Sequence, residues 1–178
     1  MGSRRRIPGV HPVAEVPSFA SVAERHLDDV HAYLVYLTRD RSAAEDLTAE
    51  TFEKALRQWR RFDPRRGSAR TWLCQLARTT ALDHFRAEDR RRRREGLYAR
   101  GEREAVEDGM FGGLSPELER ALADLSAGER EVIALRVLLD LDGETAARVL
   151  GISVTACTTR LSRALKKLEE RMNADVAA

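Results

Sequence analysis

The segment from Glu144 to Arg163, ETAARVLGISVTACTTRLSR, constrains this chain more than any other stretch. Two short amphipathic runs flank a glycine. Ala147 is small where two helices must touch, Gly151 can take the left-handed backbone angles that end a helix, and Cys157 is a compact apolar residue for the inner side of the second run. Ser153 is placed to cap that second helix, and Ile152 and Val154 to plug the turn. Val154, Cys157, Leu161, Leu165 and Leu168 predict its inward row, at spacings of three and four. The unit reads as a helix-turn-helix whose second helix turns Thr155, Thr158, Thr159, Arg160, Ser162 and Arg163 outward. Residues 153–168 carry four bases, Arg160, Arg163, Lys166 and Lys167, and no acid, which suits a phosphate-lined groove.

The rest of the chain repeats the helical period, and no alternating strand pattern appears, so the fold class is all-α. Val22, Leu27, Val30, Leu34 and Leu37 predict a first helix from Phe19 to near Asp40. Ser42 and Glu45 have capping-box spacing for a second helix, with Leu47, Thr51, Ala55 and Trp59 as its core row and Phe52 and Leu56 beside them. Pro64 and Gly67 break the chain before a third helix from Ala69 to about Arg90. Ser115-Pro116 opens a further helix through Leu118, Leu122 and Leu125. Ser126 and Glu129 form a second capping box, followed by Val132, Leu135, Leu138 and Leu139 as an apolar face.

Domain organisation follows from composition shifts. Residues 1–17, with Pro8, Pro12 and Pro17, read as a disordered tail. Residues 96–114 hold five of the 11 glycines together with Glu102, Glu104, Glu107 and Asp108, and read as a flexible acidic linker. Two small helical domains, 18–95 and 115–174, are expected on either side of it.

The formal net charge is only +2, so any nucleic-acid surface must arise by segregation of charge. Residues 40–53 hold five acids against one base, residues 57–70 six arginines against Asp63, and residues 86–94 six arginines against Glu88 and Asp89. An acidic patch beside basic ones implies two different partners. The mean hydropathy of −0.46 and the lack of a long apolar run argue against membrane insertion. The Arg4-Arg5-Arg6 run is followed by prolines rather than an apolar stretch, so a cytoplasmic location is expected. Cys74 and Cys157 lack metal spacing and are expected to be buried and inert. His11, His26, His31 and His84 have no partners at catalytic or metal spacing, and no phosphate-binding or nucleophile motif occurs. Neither catalysis, a cofactor nor a metal is expected.

Three blocks, AEDLTAETFEKAL (Ala44 to Leu56), ARTWLCQLARTTALDHFR (Ala69 to Arg86) and the stretch from Leu125 to Leu168, resemble the extracytoplasmic-function group of bacterial RNA polymerase sigma factors in kind and order. The resemblance implies a free monomer that binds the clamp helices of the β′ subunit of core RNA polymerase and directs initiation at promoter DNA. Asp46, Glu50 and Glu53 fall at the polymerase-facing positions. Arg65, Arg66, Ser68, Arg70, Arg78, Asp83 and Arg86 fall where the promoter −10 element is opened and read. Ser153, Thr155, Thr158, Thr159, Arg160, Arg163, Lys166 and Lys167 fall on the −35 reader. An anti-sigma factor is implied as a controlling partner. The chain departs from the family pattern at Thr48-Ala49, Thr79, Asp142-Gly143 and Thr158. The alternative is a stand-alone helix-turn-helix regulator, which would bind intact duplex at two half-sites one turn apart.

Overall fold

The computed structural model describes residues 17–94 and 115–176, all helix and connecting turns with no strand among them. The expected tail, apart from Pro17, and the expected linker lie outside the described residues.

Ser18 starts α1 (Phe19–Thr38) by accepting from the Ser21 N–H, and Arg39 ends it in the left-handed region at φ 57°. Val22, Val30, Leu34 and Leu37 are buried as expected, but Leu27 is 47% exposed. A five-residue step from Val22 turns a helix about 140° off the stripe, which carries Leu27 to its edge. The helix α2 (Arg41–Gln58) is capped by Asp40, whose carboxylate accepts from the Ala43 N–H at 2.9 Å, so the Ser42–Glu45 capping box does not form. Leu47, Thr51 and Ala55 line its buried side. A 3₁₀ turn (Trp59–Arg61) and a loop lead to α3 (Ala69–Arg94), whose buried side is Leu73, Cys74, Ala77 and Ala81. Ala44, Ala55, Ala77 and Ala81 are fully buried, and such small side chains let the three helices approach closely.

In the second domain α4 (Pro116–Ala123) starts at Ser115, as the Ser-Pro pair predicts. The helix α5 (Ala127–Ile133) has both bonds of its capping box: Ser126 Oγ accepts from the Glu129 N–H at 3.3 Å, and Glu129 accepts from the Ser126 N–H at 2.7 Å. The chain then widens into a π turn (Ala134–Leu138), closed by the Leu139 N–H donating to the Ala134 carbonyl at 2.9 Å. The added residue shifts the register, so Leu135 and Leu139 are buried while Leu138, expected on the apolar face, is 48% exposed. Asp142 caps α6 (Gly143–Leu150), and α7 (Val154–Val176) completes the fold.

The hydrogen bond from the Ser126 N–H is the first cause holding the Glu129 carboxyl below the usual carboxylate range, with the Lys167 ammonium adding to it. Replacing Ser126 with alanine is expected to lower the stability of this domain by about 1 kcal/mol in urea unfolding. A folded pKa below the unfolded one stabilises the fold above the unfolded value, about 4.3 for Glu, and that stability is lost as pH falls through the folded value. The stability difference between the parent and Glu129→Gln therefore shrinks below about pH 4.

The two domains are in contact. The elements α5 and the π turn lie on α1, and α6 lies on α3. Arg39 donates across the junction to the Ala123 carbonyl at 3.4 Å. Among the described residues no helix is long and apolar enough to cross a membrane.

Candidate nucleic-acid and polymerase interfaces

The turn between α6 and α7 has the geometry the glycine implied. Gly151 stands at φ 67°, ψ 34°, and its N–H returns to the carbonyls of Ala147 and Arg148. A Cβ here would meet nothing within 4 Å, so the backbone angle, not space, demands glycine. Ser153 Oγ accepts from the Ala156 N–H at 3.1 Å and caps α7.

The inward row of α7 is Cys157, Leu161, Ala164 and Leu168, while Val154 and Leu165, expected within it, are 46% and 45% exposed. Leu165 lies one residue, about 100°, round the helix from Ala164, and Val154 precedes the first residue that the domain encloses. On the opposite side Ser153, Thr155, Thr158, Thr159, Arg163 and Lys166 are exposed, and Arg160 and Lys167 are half-buried. An open groove of about 670 Å³ runs between this face and the start of α5, lined by Gly128, Thr155, Thr159, Arg160 and Arg163. The Arg160 guanidinium lies against Gly128, where a Cβ would come within 3.3 Å of it.

The bases on this face divide by engagement. Lys167 donates to the Asp124 carbonyl at 2.7 Å and to Glu129 at 3.4 Å, which ties it into its own domain. Lys166 pairs with Glu170 at 3.8 Å. Arg160 and Arg163 have no ion pair among the described residues, so both are available to phosphates or a base edge.

The loop before α3 and the first turns of that helix enclose a cavity of about 430 Å³, lined by Arg61, Phe62, Arg66, Ser68, Trp72 and, from the second domain, Arg148. Phe62 stacks on Trp59 with centroids 4.9 Å apart and planes 10° off parallel, and Trp72 meets Phe62 at 5.4 Å. Trp72 is half-buried and so serves both the aromatic cluster and the cavity wall. Arg65 and Arg66 are exposed. Ser68 accepts from the Thr71 N–H at 3.1 Å, so its first task is to start α3.

The other expected −10 residues are not gathered on one open face. Arg70 is bound to Asp29 of α1 at 2.8 Å, Asp83 and Arg86 pair with each other at 3.2 Å, and Arg78 donates to Glu131 of α5 at 2.8 and 3.4 Å. Arg61 falls within the arginine run of residues 57–70, with nothing local to set it apart from its neighbours. Arg148 and Glu131 carried no local signal, because only the packing of one domain on the other brings them here.

On α2, Asp46, Glu50 and Glu53 are exposed together, as helical spacing requires. Glu50 pairs with Lys54 at 2.7 Å and Glu53 pairs with Arg57 one turn on. The same face continues to Leu56, which is 58% exposed although expected beside the core row. The strip thus sets an exposed apolar side chain beside a row of exposed carboxylates on one open helix face.

Burial pushes the Cys74 thiol up to about 12 and raises that of Cys157 too. Only the thiolate attacks a disulfide reagent, so the native chain is expected to react negligibly with a bulky aromatic disulfide at pH 8, and fully after unfolding. Fast reaction of either thiol in the native chain would contradict this packing.

Sigma-70 region 2 matches residues 22–91 and sigma-70 region 4 matches residues 115–168. The chain is 38% identical over 138 residues to the ECF RNA polymerase sigma factor SigC of Mycobacterium tuberculosis, covering 76% of this chain and 73% of SigC. It is 32% identical over 158 residues to the ECF RNA polymerase sigma factor BldN of Streptomyces coelicolor; the match takes in 86% of this chain but only 60% of that longer relative. Among solved structures, the sigma factor RpoE of Bartonella quintana, in complex with the anti-sigma factor NepR, superposes with a TM-score of 0.71 at 28% identity, over 88% of this chain and 98% of that one. Two sigma regions in their usual order, each coinciding with one helical domain, leave one assignment: the chain belongs to the extracytoplasmic-function group of the sigma-70 family of RNA polymerase sigma factors.

Proposed function

We propose that this chain is a dissociable promoter-specificity subunit of RNA polymerase. The outer face of α7 reads the −35 element in the major groove, with Arg160 and Arg163 as its free cations and Ser153, Thr155, Thr158 and Thr159 around them. The loop with Arg65, Arg66 and Ser68 takes a base flipped from the −10 element into the cavity beside Trp72, while Arg70, Arg78, Asp83 and Arg86 border the path of the strand. Capture of an unstacked base by contacts and phosphate pairing supplies the free energy of strand opening without nucleotide hydrolysis. Asp46, Glu50 and Glu53 dock on the clamp helices of the β′ subunit, where acids meet a basic partner. Neither catalysis nor a cofactor belongs to this role. An anti-sigma factor is the expected controlling partner, in line with the complex of RpoE with NepR.

The observation that carries this reading is the pair of unengaged arginines on a correctly turned recognition helix, on the same chain as an acidic surface in a separate domain. The test is multi-round transcription with purified core polymerase on a promoter library. The full chain is expected to yield discrete transcripts that are lost when Asp46 and Glu50 are both changed to Arg, by at least about tenfold, a loss of about 1.4 kcal/mol of core binding. Tight binding to intact duplex without core, and no transcript with it, would overturn the reading.

A further inference from the structure

Gly151 and Gly128 are needed for opposite reasons. At Gly151 the backbone angle demands glycine although the space around it is open. Gly128, in the first turn of α5, is not among the glycines of positive φ, so an L side chain would meet no backbone strain there. Glycine within a helix costs stability relative to alanine, and here the backbone gives nothing in return. The return is room. A Cβ at Gly128 would lie 3.3 Å from Nη1 of Arg160, 3.5 Å from its Cζ and 3.7 Å from its Cδ.

Both the guanidinium of Arg160 and the methylene beside it therefore lie along α5, which packs on α7. Arg160 is half-buried, whereas Arg163, almost one turn further on, is exposed. The contact is one of shape and not of charge. Glu129, the carboxylate next to Gly128, is already engaged: it accepts from the Ser126 N–H at 2.7 Å and from Lys167 at 3.4 Å. Arg160 has no ion pair among the described residues, so its stem is restrained while its cation stays free. A long side chain gives up many rotamers when it binds, and a slot that restrains it beforehand lowers that entropic cost.

The two bonds of the capping box fix the backbone of this turn. A methyl group at Gly128 would thus be accommodated by the far end of Arg160, which must give by a few tenths of an ångström. The fold tolerates such a shift easily. A bidentate contact does not, because both of its hydrogen bonds must meet one base edge at good distance and angle.

We propose that Gly128 is a positioning residue for recognition of the −35 element: the side chain it lacks is the slot that aims Arg160 at its base. The effect on promoter choice rests on the reading of α7 as the −35 face; the restraint of Arg160 in the free chain does not.

The test measures initiation by the full chain with core polymerase on promoters carrying each single base-pair change in the −35 element. Arg160→Ala marks the position that Arg160 reads. Gly128→Ala is expected to lower discrimination at that position about tenfold, equivalent to about 1.4 kcal/mol. It should leave the position marked by Arg163→Ala unchanged and keep or raise the midpoint of urea unfolding. Added to Arg160→Ala, it is expected to change discrimination by less than about twofold, since a residue that acts through a side chain has no effect once that side chain is gone. Unchanged discrimination, an equal loss at every position, or the full effect in the double variant overturns the positioning role. A lowered midpoint means that α5 gave way instead of Arg160, and overturns it too. The restraint is read without a promoter from the side-chain Nε–H resonance of Arg160, assigned by its loss in Arg160→Ala. This signal is expected to be more ordered in the parent than in Gly128→Ala, and equal order in the two overturns the slot. A parent with no −35-dependent initiation overturns the sigma reading, with the resonance still deciding the slot.

Discussion

Leu135→Ala is expected to destabilise the second domain by about 2–5 kcal/mol, and Leu138→Ala by less than about 0.5 kcal/mol, although the two leucines are three residues apart in one apolar run. Leu135 is among the largest fully buried side chains, whereas Leu138 is nearly half exposed. Truncation at the first site leaves a cavity in the buried core that a small domain cannot refill. At the second it removes surface that water already reaches. Urea unfolding of both variants, read as midpoints at constant slope, checks the pair. Equal losses would mean that the π turn does not set the register described above. Loss of promoter recognition from Leu138→Ala with full stability would instead assign its exposed side chain to a partner.

Removing both free arginines of α7 carries the largest expected effect on function. Each bidentate arginine discriminates by about 1–3 kcal/mol, so Arg160→Ala with Arg163→Ala is expected to weaken −35-dependent initiation by about 30-fold to 10⁴-fold, with the fold intact. The slope of log affinity against log salt should fall by about one for each phosphate that is no longer neutralised. Lys167→Met separates the roles. That lysine is held by Asp124 and Glu129, so its loss should lower the stability of the domain more than it changes promoter choice. The competing outcome, in which Lys167→Met abolishes recognition while the two arginines are dispensable, would move the reading face one to two turns along the helix towards its C-terminus.

Much of both domains was legible because local chemistry and tertiary need agree there. Gly151, Ser153, Ser126 with Glu129, and Ser115 with Pro116 act within three or four residues of themselves, and each stands in the structure where the spacing put it. The failures share a cause. Asp40 outcompeted Ser42 for the start of α2, because a cap is chosen by the backbone angles of the incoming chain as well as by residue type. Leu27, Leu138, Val154 and Leu165 are apolar residues at helical spacing that the structure leaves exposed, because periodicity names a stripe but not its edges.

The candidate site divides in the same way. The outward face of α7 and the acidic strip of α2 follow from helical angles alone, so their residues could be named one by one. The engagement of those residues could not. Whether an arginine is free for DNA or already bound depends on which carboxylate the rest of the fold brings within 3 Å, and the partners of Arg70 and Arg78 lie 41 and 53 positions away in the chain.

The helical class, the turn before α7, the caps and the segregation of charge were set by residues interacting with near neighbours, where the backbone supplies the geometry. The buried second side of α1, the aromatic wall of the loop cavity and the bond between Arg78 and Glu131 were decided only when distant helices met. Loop closure, packing and desolvation act there together, and no window of sequence contains them.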